Sequence, residues 1–150
     1  MKKLLFATII AAVILPFFSS CQKSDQGGTS KSVSVVGQWQ MTKIIYQYYV
    51  DGNIREEETT YADSQNGELL EFRADYTFVH VVTREGVAYV PSNGTYVKTP
   101  EMIVLTYPDY TVTLKISSLT ANEAVVIDES TSENGGHVYK EVERIFLKKL

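Results

Sequence analysis

This 150-residue chain predicts an all-β domain of sequential antiparallel hairpins, closed as a barrel or packed as a sandwich. Short β-branched and aromatic runs recur from Val35 onward, and clusters of Gly, Asn, Asp and Pro separate them. No segment of that region repeats its apolar residues with the 3.6-residue period of an amphipathic helix.

Residues 1–20 read as an export signal. Met1-Lys2-Lys3 is a basic start, and Leu4 to Phe18 is apolar apart from Thr8 and Pro16. These 15 residues fall short of the roughly 20 that span a bilayer but suit a signal-peptide core. Small residues then precede the sole cysteine in Phe18-Ser19-Ser20-Cys21. The stretch resembles the lipobox of bacterial lipoproteins, with Phe18 where that pattern prefers Leu. The resemblance implies cleavage before Cys21 and lipid attachment to its thiol, and hence membrane association through an N-terminal palmitate-type anchor. The expected location is the cell envelope, at the outer membrane, on its periplasmic or its surface face. A single cysteine cannot form an internal disulfide, although an exported compartment would permit one.

Residues 21–34 hold the lipidated cysteine and a polar run rich in Ser, Gly, Gln and Lys, which reads as a flexible tether. Cys21 to Gln26 also looks like a short polar export tag of surface lipoproteins; a plain solvated linker fits equally.

The domain proper is expected over residues 35–150. Turn clusters fall at Asp51-Gly52-Asn53, Asn66-Gly67, Arg73-Ala74-Asp75, Arg84-Glu85-Gly86 and Ser92-Asn93-Gly94. Others follow at Pro100-Glu101, Pro108-Asp109, Ala121-Asn122 and Asn134-Gly135-Gly136. Gly and Asn tolerate positive φ, and Pro presets the first corner of a turn. Alternation is cleanest from Tyr110 to Ile116, where Tyr110, Val112, Leu114 and Ile116 share one face. Leu70 and Phe72 alternate with Glu71 and Arg73, and the chain returns through Thr77 to Val82. Arg55 to Glu58 is either a charged edge strand or a loop.

These segments resemble a known family. Gly37-Gln38-Trp39 opens the first strand as the Gly-x-Trp of lipocalins does. Leu70-Glu71-Phe72-Arg73-Ala74-Asp75-Tyr76-Thr77-Phe78 is similar to the x-F-x-x-D-G-T-F hairpin of the lipocalin-like domain of Bacteroides–Flavobacterium group lipoproteins. Gly94-Thr95-Tyr96, the Tyr110–Thr120 stretch and Arg144 to Lys148 follow in that family's order. The resemblance implies a small antiparallel up-and-down barrel of about eight strands, open at one end, that performs no reaction. Tyr76 stands where the family has Gly, which implies a different turn. In a closed barrel with an even strand count, the end of the last strand lies beside the start of the first. Lys148, on one face with Phe146 and Arg144, is therefore expected to cap the ring of Trp39 at the closed end; the plainer alternative is a core Trp39 and a surface Lys148.

The sequence offers little for catalysis or metals. His80 and His137 are its only histidines, and no nucleophile elbow, paired-histidine zinc motif or phosphate loop occurs. Asp128, Glu129 and Glu133 lack the spacing and central Gly of a calcium loop. No cofactor is implied. Without Lys2 and Lys3, the exported part carries 12 Lys and Arg against 18 Asp and Glu; this balance argues against nucleic acid and against a basic membrane patch.

What remains is a candidate cavity. Its expected lining takes Tyr46 and Tyr48 from the first strand, then Phe72, Phe78 and His80. Tyr96, Tyr110, Val112 and Leu114 complete it from later strands. His80 shares parity with Phe78 and Val82, so it either meets a ligand headgroup or sits as a satisfied core residue. The ten tyrosines suit a cavity mouth or a protein-binding face, and equally an ordinary sheet. The leading expectation is a non-enzymatic barrel holding a small apolar or amphipathic ligand. The alternative is a filled barrel serving as an interaction or structural module of the envelope, with its protein partner open.

Overall fold

The computed structural model describes residues 33–63 and 65–150. The export signal, Cys21 and residues 22–32 of the tether lie outside the described residues. The described residues form ten strands, beginning with β1 (Gly37–Val50), β2 (Asn53–Tyr61), β3 (Gly67–Phe72), β4 (Thr77–Arg84) and the two-residue β5 (Val87–Ala88). They continue as β6 (Ser92–Lys98), β7 (Met102–Thr106), β8 (Thr111–Leu119), β9 (Glu123–Asn134) and β10 (His137–Lys149). No helix occurs among the described residues.

Eight of these strands close an antiparallel barrel in the order β1-β3-β4-β6-β7-β8-β9-β10, with β10 pairing back onto β1. The fold is the expected all-β, up-and-down barrel. β2 and β3 are two pieces of one returning strand. Residues 43–50 of β1 pair with β2, while residues 37–40 pair with β3. The charged segment Arg55 to Glu58 is thus an edge strand, exposed along its whole length. Its glutamates keep that open edge from pairing with other chains. β1, β9 and β10 are longer than their neighbours, and with β2 they project past one end of the barrel as a four-stranded ribbon.

Turn chemistry fixes the register. Asp51-Gly52, Glu85-Gly86 and Gly135-Gly136 are two-residue hairpin loops in which both central residues have positive φ. Asp51 also ties the ribbon tip together, accepting a hydrogen bond from Val138 N at 2.9 Å and pairing with His137 Nδ1 at 2.7 Å.

Three expectations need correction. Ser92-Asn93-Gly94 is part of strand β6, not a turn; its glycine answers to crowding from two neighbouring strands. Tyr76 does not impose a turn unlike glycine's, because it adopts φ 64°, the left-handed conformation that glycine favours. Asp75 holds that loop, accepting from Thr77 N at 3.1 Å and Thr77 Oγ1 at 2.6 Å. The cation over Trp39 is Lys149, whose Nζ lies 5.3 Å from the ring centroid. Lys149 stands opposite Trp39 in the ladder, whereas Lys148 pairs with Gln40 and is exposed on the outer face. Phe146 lies on that outer face too, under Lys43 Nζ at 4.1 Å.

The core fills the closed end. Trp39, Phe72, Phe78 and Tyr96 are buried there, with Phe72 edge-on to Tyr96 at 4.9 Å. The indole Nε1 donates to the Val35 carbonyl at 2.6 Å and pins the entering chain across this end. Gly37 has φ 129°, and a side chain at that position would strike Cε of Lys149 at 2.6 Å. The Gly-x-Trp start therefore does two things: glycine clears a path, and the lysine stem crosses it to reach the ring.

Candidate functional site

Above the packed end the barrel is not filled. A cavity of about 180 Å³ opens toward the ribbon. Met41 of β1, Leu70 of β3, Leu105 of β7 and Val112 and Leu114 of β8 form most of its apolar wall. Val126 of β9, with Ile145 and Leu147 of β10, completes it. Successive inward residues on each strand supply this wall, as the two-residue period of a strand requires.

Polar groups enter at the mouth. His80 Nδ1 lies 3.0 Å from the Tyr107 hydroxyl, and His80 Nε2 lies 3.2 Å from Glu68 Oε2. The second oxygen of Glu68 accepts from Arg84 at 2.9 Å, so Arg84, Glu68, His80 and Tyr107 form one hydrogen-bonded chain. The His80 bond, aided by Arg84, holds the Glu68 carboxyl below its usual range against the effect of burial. Burial, with Tyr110 and Glu68 nearby, pushes the Tyr107 hydroxyl up to about 12. Tyr107 therefore stays a neutral phenol at physiological pH, braced by Tyr110 stacked on it at 4.4 Å.

The opposite side of the mouth carries two more carboxylates. Asp128 and Glu143 face each other across the β9–β10 ladder and both line the cavity. Neither has an ion-pair partner among the described residues. Burial first, then Asp128, Glu68 and Glu141, holds the Glu143 carboxyl above its usual range. Folding thus favours the protonated acid, and ionisation at neutral pH weakens the fold. Glu143→Gln is accordingly expected to raise the urea midpoint at neutral pH. That gain should vanish below about pH 4, where the wild-type side chain is also uncharged. A lower midpoint at neutral pH would contradict this reading of the mouth.

Sequence comparison agrees with the architecture. The sequence model of the Lipocalin-like domain matches residues 35–126. The chain belongs to that family. Similar solved structures include an uncharacterized protein from Bacteroides eggerthii, 16% identical, covering 78% of this chain and 100% of that one with a TM-score of 0.49. A lipocalin-like protein from Bacteroides uniformis is 17% identical, covering 77% of this chain and 97% of that one at a TM-score of 0.48. A deswapped triple mutant of bovine odorant binding protein is 17% identical, covering 76% and 73% at 0.38. No curated protein matches the chain.

Of the residues singled out by sequence, the lipocalin-like barrel brings His80, Tyr110, Val112 and Leu114 against one cavity. Phe72 and Phe78 do not line it; they are buried in the packed end, 2% and 0% exposed. Tyr96 is buried beside them and borders a separate, open groove outside that end with Val35 and Tyr76. Tyr46 and Tyr48 stand on the ribbon. In the ladder Tyr46 is opposite Glu143 and Tyr48 opposite Glu141, so both rings share the face that continues the cavity wall.

Sequence reasoning missed Glu68, Asp128 and Glu143, yet a signal was present. In Phe72-Leu70-Glu68, Ala124-Val126-Asp128 and Leu147-Ile145-Glu143, an apolar inward stripe ends in a carboxylate. All three meet at the same end of the barrel. Tyr107 extends the inward stripe of Ile103 and Leu105 by one step past the end of β7, so its placement too was open to the two-residue period.

Proposed function

We propose that this chain is an envelope lipoprotein whose barrel binds a small amphipathic ligand without transforming it. The observation that carries the reading is the cavity itself, apolar within and polar only at its mouth, in a fold built to surround a space. A filled interaction module would have its inner side chains meeting across this volume. The hydrogen-bonded Tyr107, His80 and Glu68 give a ligand headgroup fixed partners where the wall turns polar.

Binding is tested by filling the space. Leu114, 4% exposed, points into the cavity from β8. Leu114→Trp is expected to abolish thermal stabilisation by ring-sized amphiphiles while the barrel remains folded by circular dichroism. Undiminished stabilisation in this variant would remove the cavity from the function.

The attachment half of the proposal rests on Cys21 after a short apolar segment. Intact mass of the membrane-extracted protein should show cleavage before Cys21 and an acyl adduct, and Cys21→Ala should move the protein to the soluble fraction. An unmodified cysteine in membrane-extracted protein would end this part of the proposal.

A further inference from the structure

The ligand's charge can be read from the mouth, taking the cavity as the binding site just proposed. Glu68, Asp128 and Glu143 all border the cavity, and among the described residues no lysine or arginine does. Glu68 is already engaged by His80 and Arg84. Asp128 and Glu143 are not: they sit side by side across a ladder rung, partly buried, with Glu141 one inward position further along β10. Like charges directly opposite in a sheet destabilise it. Two carboxyl groups without a cationic partner among the described residues thus stand together at the edge of an apolar space.

The adjoining ribbon strengthens the bias. Glu58 pairs with Tyr46 and Glu56 with Tyr48, placing two more carboxylates on the same face. Tyr48 stacks with Tyr139 at 6.3 Å, and Tyr46 lies opposite Glu143. Aromatic faces among carboxylates attract an ammonium through both the ring quadrupole and the charges. A fatty-acid carboxylate would meet repulsion at every one of these positions.

The volume sets the size. An engineered apolar cavity of about 150 Å³ admits benzene, so about 180 Å³ accommodates one ring or a short alkyl chain. A metal ion does not suit the same groups: among the described residues no three carboxylate or imidazole side chains converge as ligands.

We propose that the cavity selects a small amphipathic cation, its ring or short chain lying against Leu105, Val112 and Leu114 and its protonated amine between Asp128 and Glu143. The cavity makes the site, and the carboxylates select what enters it. Burial first, then the neighbouring carboxylates, holds the Glu143 carboxyl above its usual range, and a bound ammonium would offset that cost.

Three probes of nearly equal shape separate charge from shape: phenethylamine, phenethyl alcohol and 3-phenylpropionate, titrated calorimetrically into the purified protein. The amine is expected to bind about tenfold or more tighter than the alcohol, and the propionate to show no saturable binding. In Asp128→Asn/Glu143→Gln the amine should fall to the level of the alcohol, whose affinity stays unchanged. This double variant removes a repulsion, so its fold is not at risk. Alcohol or propionate binding as tightly as the amine would overturn the cationic assignment while leaving a binding cavity. Amine affinity unchanged in the double variant would overturn it equally. If none of the three binds, the assignment falls together with the cavity reading on which it rests.

Discussion

Gly94→Ala is expected to destabilise the barrel by about 3 kcal/mol or more, a large loss for one methyl group. Gly94 sits in β6 opposite Phe78 of β4, and a Cβ there would run into the carbonyl oxygen of Thr106 and come within 2.9 Å of the Phe78 ring. Neither neighbour can yield cheaply. Thr106 belongs to the β6–β7 and β7–β8 ladders, so moving its carbonyl breaks sheet hydrogen bonds. Phe78 is wholly buried and edge-on to Tyr107 at 4.9 Å, so displacing it disturbs the brace of the cavity mouth. Gly67→Ala is the control. Gly67 also lies in a strand, but among the described residues a Cβ at that position would find nothing nearer than 3.8 Å, and the expected change is within about 0.5 kcal/mol. Urea unfolding of the two variants tests the contrast; equal midpoints would show that crowding is not what holds glycine at position 94.

The same position shows where sequence reading stops. Ser-Asn-Gly is turn chemistry by composition, and at Asp51-Gly52 or Gly135-Gly136 that logic held, because two consecutive positive φ values need such residues. At Gly94 the residue type answers to two strands that are distant in sequence, and no local pattern reports them. Register has the same character. The antiparallel meeting of first and last strands followed from the even strand count, but whether Trp39 meets Lys148 or Lys149 depends on a one-residue offset that moves a side chain to the other face. A bulge between Met41 and Lys43 shifts the inward parity of β1 part-way along. Ile44 and Tyr46 thus continue the stripe begun by Trp39 and Met41, which strict alternation would have placed outside. The division of aromatics followed depth, not type: Phe72, Phe78 and Tyr96 fill the closed end, while Tyr107 and Tyr110 frame the open one. Parity tells inside from outside; only the closed barrel tells bottom from mouth.

Trp39 is the second position where a large effect is expected. Its side chain is 1% exposed, and Trp39→Ala should cost about 3–5 kcal/mol through lost burial and the void it leaves. Trp39→Phe separates the contributions by keeping an aromatic ring while removing the donor to Val35, whose 2.6 Å hydrogen bond holds the entering chain. That variant should lose about 1–2 kcal/mol and loosen Val35, read as faster amide exchange at the start of β1. Lys149→Met keeps an apolar stem over Gly37 and removes only the charge above the ring, for an expected loss of about 0.5–1 kcal/mol. Lys148→Met, on the outer face, should change the midpoint by less than about 0.5 kcal/mol. The decisive measurement is the double-mutant cycle between Trp39→Phe and each lysine variant. Coupling is expected for Lys149, which stands across the rung from the indole, and none for Lys148. Coupling to Lys148 instead would mean that the closing ladder between β1 and β10 is offset by one residue in solution, and with it the face on which Glu143 stands.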